Sequence, residues 1–114
     1  MNIQQNVLEG VTVIAPGGRI DTTTSGPLEE AIRKTVDGGV RDLIVDFEGA
    51  DYISSAGLRV FLVLAKRMRD LKGRLVLCGM PEPVRQVFHL AGFIPLFSVE
   101  PSRAAALARF AARP

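Results

Sequence analysis

Cysteine, histidine and tryptophan are nearly missing from this sequence, which has one cysteine, one histidine and no tryptophan in 114 residues. The lone Cys78 has no partner for an internal disulfide, and its position in an apolar run favours a buried hydrophobic role. The lone His89 has no second histidine, cysteine or carboxylate at ligand spacing. The sequence therefore excludes a disulfide scaffold, and we expect no bound metal and no cofactor.

Long hydrophobic runs and a strong net charge are also missing. No apolar run approaches membrane-spanning length, and the first residues lack the basic and apolar regions of a signal peptide. We therefore expect the protein to be cytoplasmic and to make no membrane contact. The formal net charge is only +2, and the basic cluster at residues 66–74 contains no aromatic side chain. These features argue against direct binding to nucleic acid.

Catalytic motifs are missing as well. The only histidine lies far along the chain from the serine pair Ser54 and Ser55, and no Gly-x-Ser-x-Gly elbow is present. The Gly17–Gly18 pair lacks the other glycines of a dinucleotide-binding loop, and there is no Walker-type phosphate loop. Asp46, Glu48 and Asp51 match no EF-hand spacing. We therefore predict that the chain is not an enzyme.

What the sequence does contain is a regular alternation of strand and helix patterns. Strands are predicted at residues 2–8, 11–15, 43–47, 74–79 and 96–100, with residues 16–18 breaking the second strand. Helices are predicted between residues 25 and 38, at about 56–71, at 83–91, and from 103 to near 112. A hairpin followed by alternating strands and helices predicts one α/β domain, residues 1–114, with a mixed sheet and packed helices.

The most informative stretch is residues 42–60, where an apolar strand leads into the serine pair and then a helix. Ser55 is placed to be the N-cap of that helix, because a serine hydroxyl accepts a hydrogen bond from the first turn. Ala56 and Gly57 leave this turn bare, and a bare helix N-terminus tolerates a phosphate. The residues alone are compatible with a plain cap or with a phosphorylated switch.

The same stretch carries a resemblance to a known family. Residues 53–59, Ile-Ser-Ser-Ala-Gly-Leu-Arg, look like the signature of the STAS domain of bacterial anti-sigma-factor antagonists. The likeness extends to residues 18–21, 75–80 and 84–93, in the same order and at similar spacing. It implies the STAS fold, a small mixed β-sheet with helices packed mainly on one face.

The resemblance also implies a function in partner switching. The unmodified antagonist binds an anti-sigma factor that is also an ATP-bound serine kinase, and a sigma factor is released. The kinase phosphorylates a serine at the turn, and a metal-dependent serine phosphatase reverses the modification. Ser55 is the expected phosphorylation site, with Ser54 as second choice. The expected partner-binding residues are Asp21, Thr22, Ser54, Ser55, Ala56, Gly57, Leu58, Arg59 and Val63.

One departure from the family pattern keeps an alternative open. Many members have Asp-Ser-Ser/Thr-Gly at the turn, whereas this chain has Ser54, Ser55 and Ala56 before Gly57. A branch that uses the missing hydroxyl would be a non-phosphorylated STAS scaffold, or a subunit of a stress-sensing or lipid-transport complex. Val63 falls among polar residues of its helix, and is either an isolated exposed valine or part of a partner surface.

Overall fold

The computed structural model describes residues 2–111. Within this range the strands are β1 (Asn2–Leu8), β2 (Val11–Ile20), β3 (Asp42–Asp46), β4 (Ala50–Ile53), β5 (Arg74–Cys78) and β6 (Ser98–Glu100). The helices are α1 (Ser25–Asp37), α2 (Ser55–Asp70), α3 (Glu82–Leu90) and α4 (Arg103–Ala111). A short 3-10 turn, Ile94–Leu96, precedes β6.

The strands form one mixed sheet in the order β1-β2-β3-β5-β6, with β4 paired to the far end of β2. β1 and β2 form the predicted antiparallel hairpin, and all other pairs are parallel. The apolar runs of β3 and β5 are buried at the centre, as expected for strands with both faces covered. The predicted α/β class and mixed sheet are confirmed.

The two faces of the sheet are covered unequally. Helices α1, α2 and α3 pack on one face, where a cluster of aromatic rings fills the core. Phe47 meets Phe61 and Phe88 edge to face, with ring centroids 5.0 and 5.7 Å apart. The other face is covered by α4, whose Ala106 and Phe110 pack with β-strand residues that include Cys78. This matches the expected arrangement of helices mainly on one face.

Cys78 has the buried hydrophobic role expected from the sequence. Its side chain is fully buried under α4. Burial first, and then the nearby carboxylate of Asp46, raise the pKa of the thiol to about 12. The thiol therefore stays protonated at neutral pH and is shielded from reagents.

Three local predictions are wrong. The Pro16–Gly18 segment does not end β2, which continues to Ile20 with a register shift between Gly18 and Arg19. At this segment β2 changes partner from β3 to β4, and Gly18 adopts a positive φ of 83°. The strand β4 was missed altogether. The last strand is shorter than predicted, because residues 94–96 form the 3-10 turn.

Candidate functional site

The serine pair lies where β4 meets α2, beside the end of β2. Ile20 pairs with Ile53 in the parallel β2–β4 ladder, and the backbone N–H of Ser54 donates to the carbonyl of Ile20 at 2.8 Å. Asp21 and Ser54 directly follow these two paired residues. The β2–α1 turn and the β4–α2 junction therefore lie side by side, as a shared surface requires.

Ser54, and not Ser55, is the N-cap of α2. Ser54 has extended backbone angles, and its Oγ accepts a hydrogen bond from the backbone N–H of Gly57 at 3.3 Å. The predicted cap at Ser55 is therefore wrong by one residue, since Ser55 is already the first residue of the helix. Ser54 is half-buried and its hydroxyl is used by the cap, whereas the Ser55 hydroxyl is not needed to cap the helix.

Ser55 is exposed and opens into a groove between α1 and α2. The groove has a volume of about 470 Å³. Its walls are formed by Ser25, Gly26, Glu29, Ser55, Ala56, Arg59 and Val60. Ser55 is exposed, and within residues 2–111 its side chain makes no hydrogen bond, so its hydroxyl is accessible and unengaged.

Asp21 organises the turn that borders this surface. One of its carboxylate oxygens accepts hydrogen bonds from the backbone N–H and the hydroxyl of Thr23, at 3.0 and 2.8 Å. The backbone N–H of Thr24 donates to the same oxygen at 3.3 Å. The hydrogen bond from the Thr23 hydroxyl is the main cause that lowers the pKa of Asp21 below its ordinary value. Thr22 is exposed at the tip of the turn.

The remaining predicted partner-binding residues divide by burial. Ala56 is half-buried and Arg59 is exposed, and both line the groove beside Ser55. Val63 is 53% exposed and lies further along the same helix. Gly57 and Leu58 lie beneath the surface, in contact with the core, and Leu58 is only 5% exposed. We therefore interpret Gly57 and Leu58 as residues that position the surface.

The cap assignment gives a direct prediction for stability. Ser54→Ala should lower the free energy of unfolding by about 1 kcal/mol, because it removes the acceptor for the first turn of α2. Ser55→Ala should change it by less than about 0.5 kcal/mol, as surface substitutions without such a role usually do. Urea denaturation of the two variants beside the parent protein measures both values. Equal losses in the two variants would contradict the assignment.

Sequence reasoning missed the contribution of α1 to the site. Ser25, Gly26 and Glu29 form the opposite wall of the groove, although they lie about 30 residues before Ser55 in the chain. No local pattern signals this proximity, because it arises from the packing of α1 against α2 on the same face of the sheet. Glu29 matters most, because it is the only carboxylate among the residues that line the groove.

An ion pair between a buried aspartate and a half-buried arginine was missed too. Asp46 falls inside the predicted strand at residues 43–47, and it is the last residue of β3 and only 2% exposed. One of its oxygens accepts from Arg103 Nε at 2.9 Å, and the other accepts from the backbone N–H of Glu48 at 3.0 Å. Asp46 thus connects α4 to the β3–β4 turn. No group of metal-binding side chains is present in residues 2–111.

Comparisons with known proteins agree with this geometry. The family model described as "STAS domain" matches residues 2–106. A protein of Bordetella bronchiseptica, named "Putative anti-sigma factor antagonist BtrV", is 39% identical over 110 residues, which cover 96% of this chain and 95% of that protein. The chain therefore belongs to the STAS domain family. Its relatives in that family carry the name of anti-sigma factor antagonists.

Solved structures show the same fold. The crystal structure of an anti-sigma factor antagonist from Mycobacterium paratuberculosis has a TM-score of 0.88 and 24% identity, covering 95% of this chain and 92% of that one. Unphosphorylated SpoIIAA, also an anti-sigma factor antagonist, has a TM-score of 0.75 and 20% identity, covering 98% and 100%. SpoIIAA from Bacillus was also solved in a phosphorylated form, with a TM-score of 0.73, 22% identity, and coverage of 96% and 99%.

Within residues 2–111, no helix combines the length and the hydropathy that crossing a bilayer requires. The longest, α2, has 16 residues and carries charged side chains on one side. Its other side supplies six buried residues to the protein core.

Proposed function

We propose that this protein is an anti-sigma factor antagonist whose binding is switched by phosphorylation of Ser55. The unmodified protein binds an anti-sigma factor that is also an ATP-bound serine kinase, which frees a sigma factor. The binding surface consists of the β2–α1 turn, the first turn of α2 and its exposed continuation to Val63. The observation that carries the proposal is that Ser54 caps α2, whereas the Ser55 hydroxyl is exposed and makes no hydrogen bond.

Phosphorylation would have a different structural cost at Ser54 and at Ser55. The Ser54 hydroxyl accepts the N–H of Gly57, so a phosphate on it would disturb the helix cap. The Ser55 hydroxyl is exposed at the mouth of the groove and is free for a kinase. This difference favours Ser55 as the acceptor, and Ser54 becomes the residue that holds the acceptor in place.

The chemistry asked of Ser55 is a simple phosphoryl transfer. The Ser55 oxygen forms a bond to the γ-phosphorus of the kinase-bound ATP, and the bond from that phosphorus to the bridging oxygen of ADP breaks. The hydroxyl proton passes to a base of the kinase, and ADP leaves. A metal-dependent serine phosphatase restores the hydroxyl by hydrolysis. This chain supplies only the accessible oxygen and its rigid position.

The fold should tolerate the modification. A phosphoserine carries a charge of about −1.5 to −2 at pH 7, and the positive end of a helix macrodipole favours a negative charge in the first turn. The first turn of α2 contains no acidic residue that would repel the phosphate. Docking should suffer instead, because the partner surface must now accept a new charge.

The site is tested by mass spectrometry after incubation with the kinase and ATP. We expect one phosphate per chain, located at Ser55 by fragmentation. Ser55→Ala should abolish the modification, whereas Ser54→Ala should slow it without moving it. Stoichiometric phosphate on Ser54, or undiminished modification of Ser55→Ala, would refute the assignment.

A further inference from the structure

The groove beside Ser55 contains one cation, Arg59, and one anion, Glu29, among its lining residues. Arg59 is exposed and has no ion pair within residues 2–111. Neighbouring arginines on the same two helices are engaged, since Arg67 pairs with Asp37 and Arg33 pairs with Glu30 and Asp37. Arg59 is therefore the cation of this groove that is available to a new anion.

The helix geometry directs Arg59 toward Ser55. The two residues are four positions apart in α2, so their side chains share one face of the helix. A long side chain in a helix also points back over the turn that precedes its own Cα. The guanidinium can thus reach across one turn to an oxygen on Ser55. The uncharged hydroxyl gives it no ionic reason to do so, whereas a phosphate does.

We propose that Arg59 binds the phosphate of phosphorylated Ser55 on the α2 side of the groove between α1 and α2. The inference rests on the proposed function and deepens it by naming the residue that responds to the modification. An arginine fork matches two phosphate oxygens at once, whereas a lysine offers a single point charge. Phosphorylation then has two effects on the docking surface. It adds negative charge, and it fills part of the groove and pairs with Arg59.

Glu29 is expected to favour the phosphate position on the α2 side of the groove. It is the charged group that α1 contributes to the groove lined by Ser55 and Arg59. Its carboxylate repels a phosphate and attracts the guanidinium, so the phosphate turns toward α2. Glu29 raises the second pKa of the phosphate, since it disfavours the dianion, and Arg59 lowers this pKa, since it favours the dianion.

The test installs phosphoserine at position 55 during synthesis of the full chain, so no kinase is needed. A ³¹P NMR titration then measures the second pKa of the phosphate, whose ordinary value is about 6. We expect Arg59→Gln to raise this pKa by on the order of 0.5 unit relative to the parent phosphoprotein. Arg59→Lys should fall between the two, and Glu29→Gln should lower the pKa. The matched control is Lys66→Gln, an exposed cation further along α2, which should leave it unchanged.

An equal phosphate pKa in the parent and in Arg59→Gln would overturn the inference. An equal shift in Lys66→Gln would overturn it too, because it would indicate a general charge effect without a contact. Thermal melts of the phosphorylated variants establish that each remains folded. Since the phosphate is placed without a kinase, failure of the titration is distinguishable from failure of Ser55 as a kinase substrate.

Discussion

Ser55→Asp is expected to weaken binding of the anti-sigma factor/serine kinase by ~100-fold or more, without loss of fold. An aspartate at the first position of α2 places negative charge on the proposed docking surface, and charge that the partner does not complement costs several kcal/mol in an interface. A loss of about 2.7 kcal/mol corresponds to roughly 100-fold in Kd. Isothermal titration calorimetry with the purified kinase measures the loss directly.

Stability should move in the opposite direction. The aspartate lies at the positive end of the α2 macrodipole, where an acidic residue stabilises a helix by about 0.3–1 kcal/mol. Ser54 still caps the helix through the N–H of Gly57. The melting temperature of Ser55→Asp should therefore equal or slightly exceed that of the parent. Weaker binding without any loss of stability identifies a surface switch and excludes simple unfolding.

Two further variants complete the experiment. Ser55→Ala should bind with nearly unchanged affinity and stay bound in the presence of ATP, because it has no hydroxyl to modify. Ser102→Asp is the matched control: Ser102 is exposed and caps α4, which packs on the other face of the sheet. It adds the same charge at the N-terminus of another helix, outside the residues of the proposed surface, and keeps a capping oxygen. If Ser55→Asp binds as tightly as Ser102→Asp, the non-phosphorylated scaffold becomes the better interpretation.

The sequence was sufficient where local chemistry determines the structure. The apolar runs of β3 and β5 and the helical spacing in α2 depend on neighbouring residues, and the structure has each of these elements. The predicted start of α4 at residue 103 is correct too, and Ser102 caps it, since Ser102 Oγ accepts from the N–H of Ala105 at 3.1 Å. At such places the residues that define the element lie within one or two turns of each other.

The sequence was insufficient where contacts with a distant segment of the chain determine the local structure. Residues 16–18 look like a strand terminator, but β4 pairs with β2 beyond them and keeps it extended to Ile20. Asp46 has no partner nearby in the sequence, but Arg103, 57 positions later, pairs with it. The choice between Ser54 and Ser55 as cap has the same origin. The hydrogen bond from Ser54 N–H to the Ile20 carbonyl holds Ser54 at the end of β4, so the helix begins one residue later.

Gly57→Ala is expected to lower the free energy of unfolding by about 1–3 kcal/mol, the usual cost of overpacking a filled core. A Cβ at this position would lie 2.7 Å from Ile20 Cγ2 and 2.8 Å from Ile53 Cγ1. It would also lie 3.0 Å from the carbonyl oxygen of Ile20, which accepts the N–H of Ser54. Neither isoleucine side chain can move away easily, because both are fully buried.

Gly26→Ala is the matched control, because Gly26 also lies in the first turn of a helix and has open space around it. The same substitution there meets no group beyond its chain neighbours, so its cost is limited to the strain of an alanine before Pro27 and should be smaller than that of Gly57→Ala. Chemical denaturation of both variants measures the contrast. A Gly57→Ala protein as stable as Gly26→Ala would show that α2 moves freely on β2 and β4. Ser55 would then lack the fixed position that the proposed switch requires.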